Sequence, residues 1–195
     1  MAWTTPRTWV TSEVATAALL NTHLRDNLLS ALVRLDDTAV TTGYDESSID
    51  QTFRSLLLVW QGVSSTSANE DGAYIRFNND SGSNYDYQEL SVLNTTVAGA
   101  PSAGATFMRI GSMKAASGTA SKAGCGFVLI PSYAETTNHK VAVGGNFSMY
   151  NTAASGLRVG VVGGLWRSTS AVTRVQFGAQ AGNFTGRVSL YGIPV

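Results

Sequence analysis

Charge is scarce in this chain. Of 195 residues, 13% are Asp, Glu, Lys or Arg, about half the usual share of a globular protein. The 13 cations and 13 anions cancel. No basic run gathers anywhere, which excludes a phosphate-neutralising surface and makes nucleic acid a poor partner. There is a single cysteine, Cys125, so neither an internal disulfide nor a thiolate zinc cluster can form. Within Gly-Cys-Gly-Phe-Val-Leu-Ile it reads as a small, buried strand residue. No apolar run approaches the roughly 18 residues of a membrane span, so no membrane insertion is expected. The opening Met1-Ala-Trp-Thr-Thr-Pro lacks a basic stretch leading into an apolar one, which predicts no signal peptide and synthesis in a cytoplasm. Histidine is limited to His23 and His139. Neither joins a nucleophile elbow, an HExxH pair, a P-loop or a dinucleotide fingerprint. The expectation is a protein without catalysis, cofactor or resident metal.

What replaces the charge is Ser, Thr, Asn, Gly and Ala, around a hydrophobic share of 44%. That is enough for a core. A surface this poor in charge is prone to associate, which fits one covered by other subunits.

Two periodicities divide the chain. From Trp9 to Leu35, Leu20, Leu24, Leu28, Leu32 and Leu35 recur at spacings of four or three and fall on one helical face. Thr11 or Ser12 would cap that helix, with Glu13 in its first turn. Asp36 and Asp37 would close it. Residues 1–37 thus read as an arm and a helix, and their apolar groups Trp3, Trp9, Leu20, Leu24, Leu28 and Leu32 as an assembly interface. Residues 38–52 are polar and read as a linker. Beyond them the period drops to two. Strands are expected at 53–61, 73–77, 85–93 (where a short helix is the alternative), 106–110, 125–130, 139–150 with an interruption at Gly144-Gly145, 157–166 across a bulge or sharp bend at Gly163-Gly164, 172–177 and 187–191. Residues 97–104 around Pro101 read as a loop. Eight or nine strands without intervening helices predict a mainly β chain. Residues 53–195 would form an antiparallel, jelly-roll-like β-sandwich domain.

Trp-Val-x-x-Glu-x-x-Thr-Ala-x-x-Leu-Asn-Thr-x-Leu-Arg-Asp-Asn-Leu, from Trp9 to Leu28, resembles the N-terminal segment of many tailed-bacteriophage virion proteins. These are small fibre, tail-tip, collar or head-accessory proteins. A second set of residues is similar to the C-terminal β-domain of the same group. It comprises Phe77 to Tyr85, Ile130-Pro-Ser-Tyr-Ala134, Lys140, Trp166 to Val175, Gly182-Asn-Phe184, Gly186 and the ending Val188-Ser-Leu-Tyr-Gly-Ile193. Arg187 departs from it, standing where the group has a small residue. The resemblance implies a compact β-sandwich on a phage particle, often in trimers, docked onto tail, collar or capsid proteins and exposed to a host-surface glycan or other receptor. A tail or collar appendage and a head decoration protein are both within its range. A polysaccharide-degrading enzyme is a more distant one.

One loop has site chemistry. Asn78, Asp80, Gly82, Asn84 and Asp86 alternate oxygen side chains around a glycine. Such a pattern builds an Asx turn on its own backbone, contacts a sugar, or wraps a calcium ion, although the closing Glu of an EF-hand is absent. Tyr85 and Tyr87 flank it and read as an exposed pair suited to stacking on a glycan. Asn78, Asp80, Asn84, Tyr85 and Tyr87 are therefore the candidate receptor contacts.

Overall fold

The computed structural model describes residues 32–66, 69–115, 123–149 and 156–194. The segment bearing Trp3, Trp9, Leu20, Leu24 and Leu28, with its expected helix, lies outside the described residues. Within them are twelve strands: β1 (Val33–Val40), β2 (Tyr44–Ser47), β3 (Ser55–Ser64), β4 (Glu70–Phe77), β5 (Tyr85–Leu93), β6 (Thr96–Ala105), β7 (Met108–Ala115), β8 (Gly124–Pro131), β9 (Lys140–Met149), β10 (Leu157–Trp166), β11 (Arg174–Ala179) and β12 (Phe184–Ile193).

The strands make an open, sandwich-like arrangement of two antiparallel layers. The larger has the order β1-β12-β3-β8-β9-β10-β5-β6. The smaller has the order β2-β11-β4-β7. Two parallel pairs, Val63 with Lys114 and Ser64 with Ala115, join β3 to β7 at one corner. The chain passes repeatedly from one layer to the other, so facing strands bury their inward rows against each other.

Two groups of aromatic side chains fill part of those rows. Trp60 on β3 sits 5.4 Å from Phe177 and 6.4 Å from Phe184. Phe77 on β4 lies 5.6 Å from Trp166, whose ring stacks on Tyr85 at 6.3 Å. Leu56, Leu58, Ile75, Val128, Ile130, Val188 and Leu190 complete this core.

Several expectations are corrected. The helical spacing does not carry through to Leu35, because Val33–Val40 is a strand paired with β12. Leu35 packs against the core at a bulge in that pairing. Asp37 does not end a helix; it accepts hydrogen bonds from Arg187 and Ser189 across the ladder. Leu32 stands exposed just before β1. Residues 38–52 are no plain linker either, since they hold the end of β1 and all of β2. Residues 97–104 belong to β6, where Pro101 is tolerated because the strand is an edge. Gly144 and Gly145 do not interrupt β9, and Gly163 and Gly164 make no bulge in β10, whose register is continuous with both neighbours.

Candidate assembly surface

An antiparallel sheet with one wet face turns its apolar side chains inward. Strands β5, β9 and β10 do the reverse over much of their length. Glu89 and Ser91 of β5, Asn146 and Ser148 of β9 and Arg158 of β10 point into the sandwich. Leu90 and Val92, Val143 and Phe147, and Val159 and Val161 point out. A side-chain period of two makes this choice collective: each strand has one polar and one apolar row, and the register decides which is buried.

The inward rows meet β4 and β7 and are joined by ion pairs. Arg109 of β7 stands 3.2 Å from Glu89, which is only 2% exposed. Arg158 stands 3.0 Å from Glu70 of β4. Ser112 Oγ accepts from Arg109 at 2.8 Å, and Asn146 Nδ2 donates to the Ser112 carbonyl at 3.0 Å. Gly111, at φ +130°, and Gly160 make room for Asn146 between them; a Cβ on Gly160 would stand 2.6 Å from its Oδ1. Burial pushes the Glu70 carboxyl up; Arg158 and Arg109 pull it down and Glu89 pushes it up, with a net rise. Oε1 of Glu89, Oδ1 of Asn146 and Oγ of Ser148 have no hydrogen-bond partner among the described residues. Glu70 of β4 and Glu89 of β5 thus come together inside the sandwich, each held by an arginine.

The outward rows form one apolar surface across six strands. Cross-strand pairing aligns Val97, Val92, Val159, Phe147 and Cys125 in one row. Leu90, Val161, Gly145, Phe127 and Val59 make the next. No charged side chain points outward from β8, β9 or β10. Where Gly145 supplies no side chain, a depression of about 480 Å³ opens between Phe127, Phe147 and Val161. The surface turns polar at β12 and β1, through Gln61, Arg187, Ser189 and Asp37. Cys125 is on a strand as expected, but it is exposed on this surface rather than buried.

The Asn/Asp loop is built as a turn. Asn78 and Asn79 both have positive φ, and the Asp80 N–H donates to the Phe77 carbonyl at 2.9 Å, which is the geometry of a type I′ turn. Asn78 Oδ1 accepts from the N–H groups of Thr173 and Arg174. Asp80 accepts from Gly82 N–H, from Asn84 Nδ2 and from Trp166 Nε1, the last at 2.7 Å. Asp86 accepts from Gly104 N–H and pairs with Arg167. Tyr85 is corrected outright: it is fully buried, with its hydroxyl against the backbone of Phe77. Tyr87 is partly buried against the core. A half-buried aromatic pair lies elsewhere, where the rings of Tyr74 and Phe107 meet at 5.2 Å with a 42° tilt and Arg76 lies over the Tyr74 ring.

Burial raises the Asp80 carboxyl, but hydrogen bonds from Trp166, Asn84 and Gly82 and the nearby Arg76 outweigh it, and the net shift is downward. A depressed carboxylate contributes stability above its unfolded value and loses it as pH falls through its folded value. Acid is therefore expected to release Trp166 from this loop, seen as a fluorescence change on titration below the usual carboxylate range. Asp80→Asn should abolish that step; a variant that titrates like the parent would show that Asp80 does not hold the indole.

The sequence reading missed the outer surface, although its signal was present. Phe127, Val141, Val143, Phe147, Val159 and Val161 were assigned to strands, but their alternate neighbours Asn146, Ser148 and Arg158 were not read as the buried row. Comparison of the chain with protein families, with curated proteins and with solved structures gives no match.

Proposed function

We propose that this chain is a non-enzymatic structural protein of a tailed-bacteriophage particle. It assembles in trimers as a fibre or spike of the tail or collar, with its β-domain presented to a host-surface receptor. The observation that carries the assembly is the apolar surface of β8, β9, β10 and β5, which bears no outward charge on β8, β9 or β10. A free monomer would leave it facing water, at a cost of about 25 cal/mol for each Å². The resemblance of Trp9–Leu28 and of the β-region to phage virion proteins supplies the particle.

The fold is read as a jelly roll with two insertions, and the strand order supports this. The pairs β1-β2, β12-β11, β3-β4 and β8-β7 each cross from one layer to the other side by side. They form the rolled antiparallel ribbon of a four-plus-four jelly roll. Hairpin β5-β6 enters between β4 and β7, and β9-β10 between β8 and β11. Both widen the same layer beyond β8, and together they carry most of the apolar surface.

The test is electron microscopy of particles released by producing cells and labelled with antibody against the chain. Label at the tail or collar is the expected result. Label spread over the head would make it a decoration protein, and particles without label would remove the reading.

A further inference from the structure

We infer that the apolar outer surface of β8, β9, β10 and β5 is the contact through which copies of this chain join one another. This rests on the assembly reading above and specifies both the surface and its occupant.

Three observations select a second copy over a different partner. The first is extent. The outward apolar rows run across six hydrogen-bonded strands, from Val97 on β6 to Val59 on β3, a continuous patch of the kind that marks an interface rather than scattered apolar residues. The second is chemistry. The outward rows of β8, β9 and β10 hold no charge, so they offer no electrostatic means of choosing an unlike partner. Permanent contacts between like subunits are the ones that resemble a protein core cut in half. The third is the inverted pattern itself. Glu89, Asn146 and Arg158 occupy the interior. The same strands thus keep their most apolar row, with Val161 at 56% exposure and Leu90 at 55%, for outside.

Three such faces turned to one axis would enclose an apolar prism, each copy meeting one neighbour through one side of the face and the other neighbour through the opposite side. The polar rim at β12 and β1 would stay in water. Phe127 and Phe147 would project toward the hollows beside Gly145 in the neighbours.

Cys125, exposed on this face and the chain's only thiol, reports on its cover. The experiment measures the solution mass of the full chain over a concentration series, together with the rate at which dithionitrobenzoate labels Cys125. The variants are Val161→Asp on the face and Ala39→Glu on the polar rim. The expected result is a multimer with a slow thiol that speeds up at least about tenfold on dilution to monomer. Val161→Asp should be a folded monomer with a fast thiol, and Ala39→Glu should behave as the parent. If Val161→Asp fails to fold, the parent's thiol rate against concentration decides alone.

A multimer whose thiol is already fast overturns the inference and leaves assembly standing through another face. A thiol that stays slow in the dilute monomer also overturns it, because a segment of the same chain then covers the surface. A monomer at every concentration with a fast thiol removes both the inference and the assembly reading.

Discussion

Arg109→Met is expected to destabilise the fold by about 3–5 kcal/mol, the usual consequence of leaving one member of a buried ion pair alone. In a chain of this length that lowers Tm by roughly 6–20 °C. The guanidinium of Arg109 serves Glu89 at 3.2 Å and the Ser112 hydroxyl at 2.8 Å. It also lies close enough to Glu70 to lower that carboxyl. Met fills similar volume but carries no charge. Glu89 would then be buried with neither oxygen partnered, since its Oε1 already has no partner among the described residues.

Two controls separate charge from packing. The double variant Arg109→Met, Glu89→Leu should recover most of the loss, because an apolar pair of matching size replaces a buried ion pair with little penalty. The deficit of the single variant should also narrow in acid. Glu70 has a raised folded value, so its contribution is fully present below the unfolded value and is lost as pH rises through the folded one. Without Arg109 that loss deepens at neutral pH. Calorimetry of the three proteins at two pH values checks this. A double variant as unstable as the single one would mean that Arg109 acts by filling space.

The second large effect lies in the aromatic group around Trp60. Trp60→Ala is expected to cost about 3–5 kcal/mol in a denaturant titration. The indole is 1% exposed and touches Phe177 of the small layer and Phe184 of β12. Its removal opens a cavity at the junction of three strands. Trp60→Phe should cost much less. The ring contacts largely remain, and the indole N–H has no hydrogen-bond partner among the described residues. Equal losses for Ala and Phe would show that this N–H is bonded, as to a trapped water.

How far the fold could be read from the sequence depended on where each strand's partner lay. Phe53 to Gln61 and Leu157 to Trp166 announce themselves by their own composition, whereas Tyr85 to Leu93 fits a short helix as well as the strand it forms. β1 does not. The leucine spacing that ends at Leu35 continues a helical pattern, and only pairing with Gly186–Gly192 at the far end of the chain makes Val33–Val40 a strand. β6 was hidden by Ala, Gly and Pro, which form a strand there because only one edge must be hydrogen-bonded. β2 lies in the polar stretch 38–52, and with β1 and β6 it makes the difference between nine expected strands and the twelve among the described residues. Tyr85 was misplaced because burial of a tyrosine next to a polar turn depends on Trp166, eighty residues away. The candidate surface was legible only in part. Strand periodicity gives two rows, and which row faces inward is settled by Arg109 and Ser112 on another strand.

The interleaving of β12 between β1 and β3 bears on how the chain comes to be folded at all. β12 is flanked by two strands that precede it by more than half of the described chain, so the larger layer has a gap until residues 184–193 arrive. On a ribosome, the edges of β1 and β3 that meet β12 would stay unpaired until residues 184–193 emerge. Closure needs contacts of long sequence separation, which form slowly. The apolar outer surface is present on β8, β9 and β10 before that closure. Maturation therefore has an order in time: the sheet must be sealed by its latecomer before neighbouring copies meet, and crowding of half-made chains is when aggregation competes with assembly.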